Sequence, residues 1–139
     1  MKLTVAWIGK SKDRAIQELT EKYSERLRHY ADFDCVSIKD ESKLGNAKSN
    51  LILLDSRGKQ FSSDDLAEFL RRRQEQSPIP LVFAIGGADG FSDELRKSAS
   101  FILSLGKMTL SRELARVVLL EQLYRAFTIL RGHPYHTGH

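Results

Sequence analysis

The 139-residue sequence predicts an α/β fold with a mostly parallel sheet flanked by helices. Three observations carry this expectation. Residues 51–54 and 81–85 are short, continuous apolar runs bounded by turn residues, as strands covered on both sheet faces require. Helix-length segments separate the strand-like runs. Loops rich in glycine and polar residues follow three strands, and in open parallel sheets the ligand cleft lies beyond the carboxyl ends of the strands.

The elements follow in order. Residues 2–8 form a strand closed by Gly9; they lack the length and small-residue cleavage site of a signal peptide. Ser11 caps a helix to Tyr30, with Ile16, Leu19, Tyr23, Leu27 and Tyr30 on one face and charge on the other. Residues 32–39, with Phe33, Cys35 and Val36, alternate as a second strand, and 40–50 are a polar loop. The strand at 51–54 runs into a loop at 55–59. Ser62 or Ser63 caps the next helix. Asp64 and Asp65 in its first turn and Arg71, Arg72 and Arg73 near its end complement the helix dipole. Residues 77–80 break the chain, and the strand at 81–85 runs into Gly86-Gly87-Ala88-Asp89-Gly90. Ser92 caps a short helix to about Ala99, and 101–105 are the last strand.

The helix at 112–131 carries apolar residues at 12 of its 20 positions and has no clean polar face. A helix apolar nearly all round is buried on several sides, and a chain of this length has few elements to cover it. A second copy of the chain is the expected cover. Glu121 and Arg125, four apart, fall on the same side as Leu114 and Val118; they are either a surface ion pair or a pair lining the ligand cleft. Arg116 lies on the opposite side and is expected to face solvent.

Composition sets outer bounds. The length suits one domain, 1–139, able to bury a core without staples. One cysteine, Cys35, excludes an internal disulfide and fits a reducing cytoplasm. No apolar run approaches the roughly 18 residues of a membrane helix. From Lys107 onward five basic residues face two acidic ones, a mild bias toward a polyanionic partner. His133, His136 and His139 are three apart, but Pro134 prevents a regular helix and no carboxylate is near in sequence, so no metal is expected.

Each loop at 54–58, 85–90 and 105–110 alone reads as a tight turn; the three together point to a nucleotide-like ligand. The glycine turn is not Gly-x-Gly-x-x-Gly, and Gly58-Lys59 lacks the rest of a phosphate-binding loop.

The run Ile85-Gly86-Gly87-Ala88-Asp89-Gly90-Phe91-Ser92 resembles a loop of the SPOUT methyltransferases. More narrowly, Leu103-Ser104-Leu105-Gly106-Lys107-Met108-Thr109-Leu110, Arg116-Val117, Glu121-Gln122-Leu123-Tyr124-Arg125-Ala126 and His133-Pro134-Tyr135-His136 resemble the ribosomal RNA large subunit methyltransferase H family. Leu54-Asp55, Gly58-Lys59 and the first strand join the match, which covers most of the chain. The resemblance implies a SPOUT-type α/β knot with a C-terminal trefoil, a homodimer, and S-adenosylmethionine as cofactor. It implies cofactor contacts at Leu54, Gly86, Leu105, Gly106, Lys107, Met108, Thr109 and Leu110. The implied reaction is methylation of N3 of a pseudouridine in the helix 69 loop of large-subunit ribosomal RNA on assembled ribosomes. Two departures stand out. The helix that family members carry between the second and third strands is reduced to 40–50, and Thr137 replaces the basic residue that usually follows the tail motif.

Transfer from a sulfonium needs no metal. It needs an in-line nucleophile and removal of the imide proton. His136, Tyr135 and His133 are the candidate bases, and Arg125 the candidate stabiliser of the developing imidate. Tyr135 also offers a ring on which a base can stack. Two rivals stay open: an RNA-binding homodimer of the same fold without methyl transfer, and a nucleotide-binding α/β protein acting on a small metabolite.

Overall fold

The computed structural model describes residues 1–44, 50–76 and 78–137. Five parallel strands form one sheet in the order β2-β1-β4-β3-β5. They are β1 (Lys2–Ile8), β2 (Asp32–Ile38), β3 (Asn50–Gln60), β4 (Leu81–Ile85) and β5 (Phe101–Ser104). The helices are α1 (Arg14–Arg28), α2 (Ser63–Gln76), α3 (Asp93–Ser98) and α4 (Arg112–Leu130).

Strand side chains alternate between two apolar layers, as a period of two demands. Leu3 and Val5 of β1, Ile52 of β3, Leu81, Phe83 and Ile85 of β4 and Leu103 of β5 join one core with α1, α2 and α4. Ala6, Leu51, Leu53 and Ala84 face the other way, under Leu44, Phe91 and Leu95. α4 packs between α1 and α2. Helix-covered faces on both sides are what let β3 and β4 read as continuous apolar runs.

Several expectations are corrected. Asp13, not Ser11, caps α1: its carboxylate accepts from Ala15 N at 2.9 Å and Ile16 N at 3.3 Å. The Ser11 hydroxyl is engaged elsewhere, donating to the Glu113 carboxylate at the start of α4. The expected loop at 55–59 is strand. β3 continues to Gln60 and pairs again with β5 after a register shift between Leu54 and Lys59, so Leu103 faces both. A Cβ on Gly58 would lie 2.6 Å from the Ile102 carbonyl oxygen, so only glycine admits this approach. Ser62 caps α2 in a reciprocal box: Asp65 N donates to its hydroxyl at 3.0 Å, and its own N–H donates to the Asp65 carboxylate at 2.9 Å. In the shortened segment after β2, a single 3₁₀ turn, Glu41–Lys43, buries Leu44 in the second core and ties to the cap of α3. Glu41 accepts there from Ser92 N at 2.9 Å and its hydroxyl at 2.5 Å. The rest of that polar segment, 45–49, and Ser77 of the expected chain break lie outside the described residues.

Arg116 overturns another expectation. It is 6% exposed, on the core side of α4 with Leu119, Leu120, Leu123 and Phe127. The Leu114 and Val118 side faces outward instead, with Leu114 50% exposed. A helix apolar on every side does not declare which side is inner. The stripe that meets the strands wins, and Arg116 is carried in with it.

Candidate functional site

The carboxyl ends of β3, β4 and β5 open into a cleft of about 420 Å³, within the usual range for small-molecule sites. Its walls are the three loops singled out in the sequence, closed by Arg112 and Ala115 of α4. Leu54, Gly86, Leu105, Gly106, Met108, Thr109 and Leu110 all line it; Lys107 alone of the candidate cofactor residues does not.

The β4 loop is folded tightly by a Gly90 N–H bond to Gly87 O at 3.0 Å. A Cβ on Gly86 would come within 3.2 Å of the Gly90 backbone and 3.3 Å of the Phe91 ring, so a side chain there would push this wall of the cleft outward. Ser104 fixes the β5 loop by donating to Gly106 O at 2.9 Å and accepting from Gly106 N at 3.2 Å. Asp55 anchors the third wall. It accepts from Arg57 N at 2.8 Å and pairs with Arg96 of α3 and with Arg57 Nε at 3.3 Å. Burial works against the Asp55 carboxylate, but the Arg57 bonds and the Arg96 and Arg57 charges outweigh it and hold its pKa below the ordinary value. Asp55 stands in the Leu54-Asp55 motif, whereas Arg96, 41 residues away, carries no signal in the sequence.

A second centre forms where the tail folds back on the last turns of α4. Arg125 forks onto Glu121, Nη2 to Oε2 at 2.8 Å and Nε to Oε1 at 3.3 Å. The Tyr135 hydroxyl donates to the same Glu121 oxygen at 2.6 Å. Arg125 Nη1 lies 3.1 Å from His136 Nδ1, and its guanidinium stacks 4.9 Å from the Tyr135 ring centre. Burial first, then the bond to Glu121 and its negative charge, push the Tyr135 phenol well above its ordinary range. The bond to Glu121 likewise raises Arg125. A guanidinium only donates, so His136 Nδ1 is the acceptor in this contact and the ring proton belongs on Nε2. His133 is exposed; its Nδ1 accepts from Tyr135 N at 3.2 Å, shaping the turn. Among the described residues no group of His, Cys, Asp or Glu is placed to hold a metal ion; His139 lies outside them.

The two centres stand at opposite ends of α4. From Ala115 on the cleft to Arg125 at the tail the helix rises about 15 Å at 1.5 Å per residue. Leu114, Leu110 and Met108 leave apolar surface uncovered beside the cleft.

A family model described as predicted SPOUT methyltransferase matches residues 1–136. A protein of Koribacter versatilis (strain Ellin345) called ribosomal RNA large subunit methyltransferase H is 52% identical over 146 residues, covering 100% of each chain. The chain belongs to the ribosomal RNA large subunit methyltransferase H family of SPOUT methyltransferases. Solved structures that superpose on the chain are far more distant in sequence. A probable methylase family protein from Haemophilus influenzae Rd KW20 superposes with a TM-score of 0.64 at 9% identity, over 98% of this chain and 70% of that one. The SpoU methyltransferase AviRb from Streptomyces viridochromogenes, solved in complex with AdoMet, gives 0.53 at 13% identity, over 89% of this chain and 57% of its own. In open parallel sheets, ligands bind beyond the carboxyl ends of the strands, the edge on which this cleft lies. Among the described residues no helix is long and apolar enough to cross a membrane.

Proposed function

We propose that this chain is an S-adenosylmethionine-dependent methyltransferase acting on N3 of a pseudouridine in the helix 69 loop of large-subunit ribosomal RNA, on assembled ribosomes in the cytoplasm. It works as a homodimer of one-domain subunits, each with its C-terminal segment threaded as a trefoil knot, and without a metal. The observation that carries the reading is the glycine-walled cleft in a chain of this family. It has apolar walls at Leu54, Ile85 and Leu110, half-buried backbone at Gly86 and Gly106, and no phosphate-binding loop. That suits an adenosyl group carrying a methionine tail.

When bound, the cofactor supplies an electrophilic methyl on a sulfonium sulfur. The protein's share is to place the acceptor nitrogen in line, which contributes roughly 7–11 kcal/mol in well-oriented systems, and to stabilise the imidate left when the N3 proton passes to solvent water. The tail centre has the groups for the second task. Tyr135 is held protonated, so it positions and stacks. Arg125 brings positive charge, and His136 Nε2–H can donate to a carbonyl flanking N3. His133 shapes the turn that presents them.

The gap of about 15 Å between cleft and tail on one helix is the reason for two subunits: the tail of one closes the cleft of the other. The apolar surface at Met108, Leu110 and Leu114 is where they meet. Mass mapping of ribosomal RNA from cells with and without the gene tests the reaction. Loss of one methyl group at a loop pseudouridine is expected; an unchanged map ends the proposal. Calorimetry with S-adenosylmethionine separates it from a binder without transfer, which gives no heat.

A further inference from the structure

Resting on the RNA-modifying reading above, we propose that the loop after β1 and the start of α4 form a phosphate clamp for the ribosomal RNA strand beside the cleft, with Lys10, Lys12 and Arg112 as its cations. Arg112 lines the cleft, and its Nη1 lies 3.9 Å from where a Cβ on Gly9 would stand and 4.0 Å from that on Gly87. The guanidinium therefore spans the carboxyl ends of β1 and β4, which are neighbours in the sheet. Lys10 and Lys12 follow Gly9 on the side of β1, away from β3 and β5, and neither lines the cleft. The loop that carries them is fixed along its length. Gly9 N donates to Ile38 O at 3.0 Å, and the Ser37 hydroxyl donates to Gly9 O at 2.5 Å. Gln17 Nε2 donates to Ser11 O at 2.8 Å, and the Ser11 hydroxyl donates to the Glu113 carboxylate. That last bond joins the loop to the first turn of α4, so all three cations stem from one fixed rim.

Among the described residues Lys10, Lys12 and Arg112 have no carboxylate partner. The residues one turn on from Arg112 are Ala115 and Arg116, which bring no acid beside it. The rim holds Lys10, Lys12, Arg14 and Arg112 against the acids Asp13 and Glu113. Asp13 caps α1, and Glu113 takes the Ser11 hydroxyl. In the cleft Asp55 is held by Arg96 and Arg57, and Asp89 stands exposed on the β4 loop. The excess of positive charge attracts a polyanion. A single cofactor carboxylate needs one cation, yet two of these three stand outside the cleft. Cations that lead outward from a ligand cleft match the backbone phosphates of a strand whose base has entered it. A loop that is already fixed loses little freedom when the strand binds.

The test uses the full chain and assembled ribosomes from cells lacking the gene. Binding is measured across a salt series for wild type, K10Q/K12Q, R112Q, R112K and K2Q. Lys2 opens β1 at the amino edge of the sheet, so K2Q removes a charge far from the clamp. Each phosphate contact on a single strand contributes about 0.7 to the slope of log affinity against log salt. K10Q/K12Q is expected to lower the slope by about 1.4 and to weaken binding about tenfold in low salt, and R112Q to lower the slope by about 0.7. R112K keeps the slope, because it keeps the charge, and K2Q behaves as wild type. S-adenosylmethionine affinity in K10Q/K12Q stays at the wild-type value. A wild-type slope in K10Q/K12Q or in R112Q overturns the clamp; weakened S-adenosylmethionine binding in R112Q then gives Arg112 to the cofactor carboxylate. Dissociation of either variant into monomers also overturns it, and makes the rim a contact between copies. If the slopes change as expected but wild type neither binds the cofactor nor modifies the ribosomes, the clamp stands and it is the methyltransferase reading that has failed.

Discussion

Glu121 is the hinge on which the tail centre turns, and E121Q tests it directly. The carboxylate accepts from Arg125 at 2.8 Å and from the Tyr135 hydroxyl at 2.6 Å. Hydrogen bonds to a charged group contribute about 1.5–3 kcal/mol each when buried. The Glu121 side chain is 18% exposed, and glutamine keeps one neutral acceptor, so the low end applies. The expected loss in docking of the tail is about 1.5–2 kcal/mol, about 10- to 30-fold in its docked population. Amide hydrogen exchange over 131–137 reads that population directly, and kcat/KM on assembled ribosomes at saturating cofactor falls with it. Y135F removes the other end of the bond, and the double variant is expected to cost less than the sum of the two. A further readout is the phenol. Burial and then Glu121 hold its pKa up; without the carboxylate it falls toward the ordinary value of about 10. A raised folded-state pKa means the contribution is complete below about pH 10 and fades as pH climbs through the folded value. Alkali therefore loosens the wild-type tail, and E121Q shows less of this dependence. Unchanged exchange at 131–137 together with transfer within about twofold of wild type refutes the reasoning.

Other outcomes follow from the same geometry. D55N strands Arg96 and Arg57; removing one partner of a partly buried pair is expected to cost about 2–3 kcal/mol of stability in denaturant titration. Because the folded Asp55 pKa is lowered, its contribution is full above about pH 3.9 and disappears as acid takes pH through the folded value, a dependence D55N lacks. G86A forces the Gly90 backbone to move and is expected to weaken S-adenosylmethionine binding at least about tenfold in calorimetry, for a stability loss of only about 1–3 kcal/mol. R116M replaces a buried cation whose Nε has no acceptor among the described residues, so losing its stacking on Trp7 at 3.8 Å is offset by lower desolvation. Its stability is expected within about 1 kcal/mol of wild type; a loss above about 3 kcal/mol points to an acceptor supplied by a second copy.

Much of this molecule was legible in its residues alone. The apolar runs of β3 and β4 declared strands covered on both faces, and Ser92 and the Ser62-Ser63 pair announced their helices, because these are local matters of period and backbone bonding. The three cleft loops were found for the same reason: turn residues after strands mark the carboxyl edge of a parallel sheet. Local rules could not say which side of α4 turns inward, since every side is apolar, and so Arg116 was sent to solvent when it belongs over Trp7. Nor could they extend β3 through Asp55 and Gly58, residues that look like a turn until β5 pairs beside them. The sequence by itself determined the elements, the sheet class and the family. Only the tertiary structure decided that Asp55 meets Arg96 and that Tyr135 and His136 return to Glu121 and Arg125. It also decided that cleft and tail stand a helix apart. Those are contacts between distant residues, set by how layers stack rather than by what any one segment prefers.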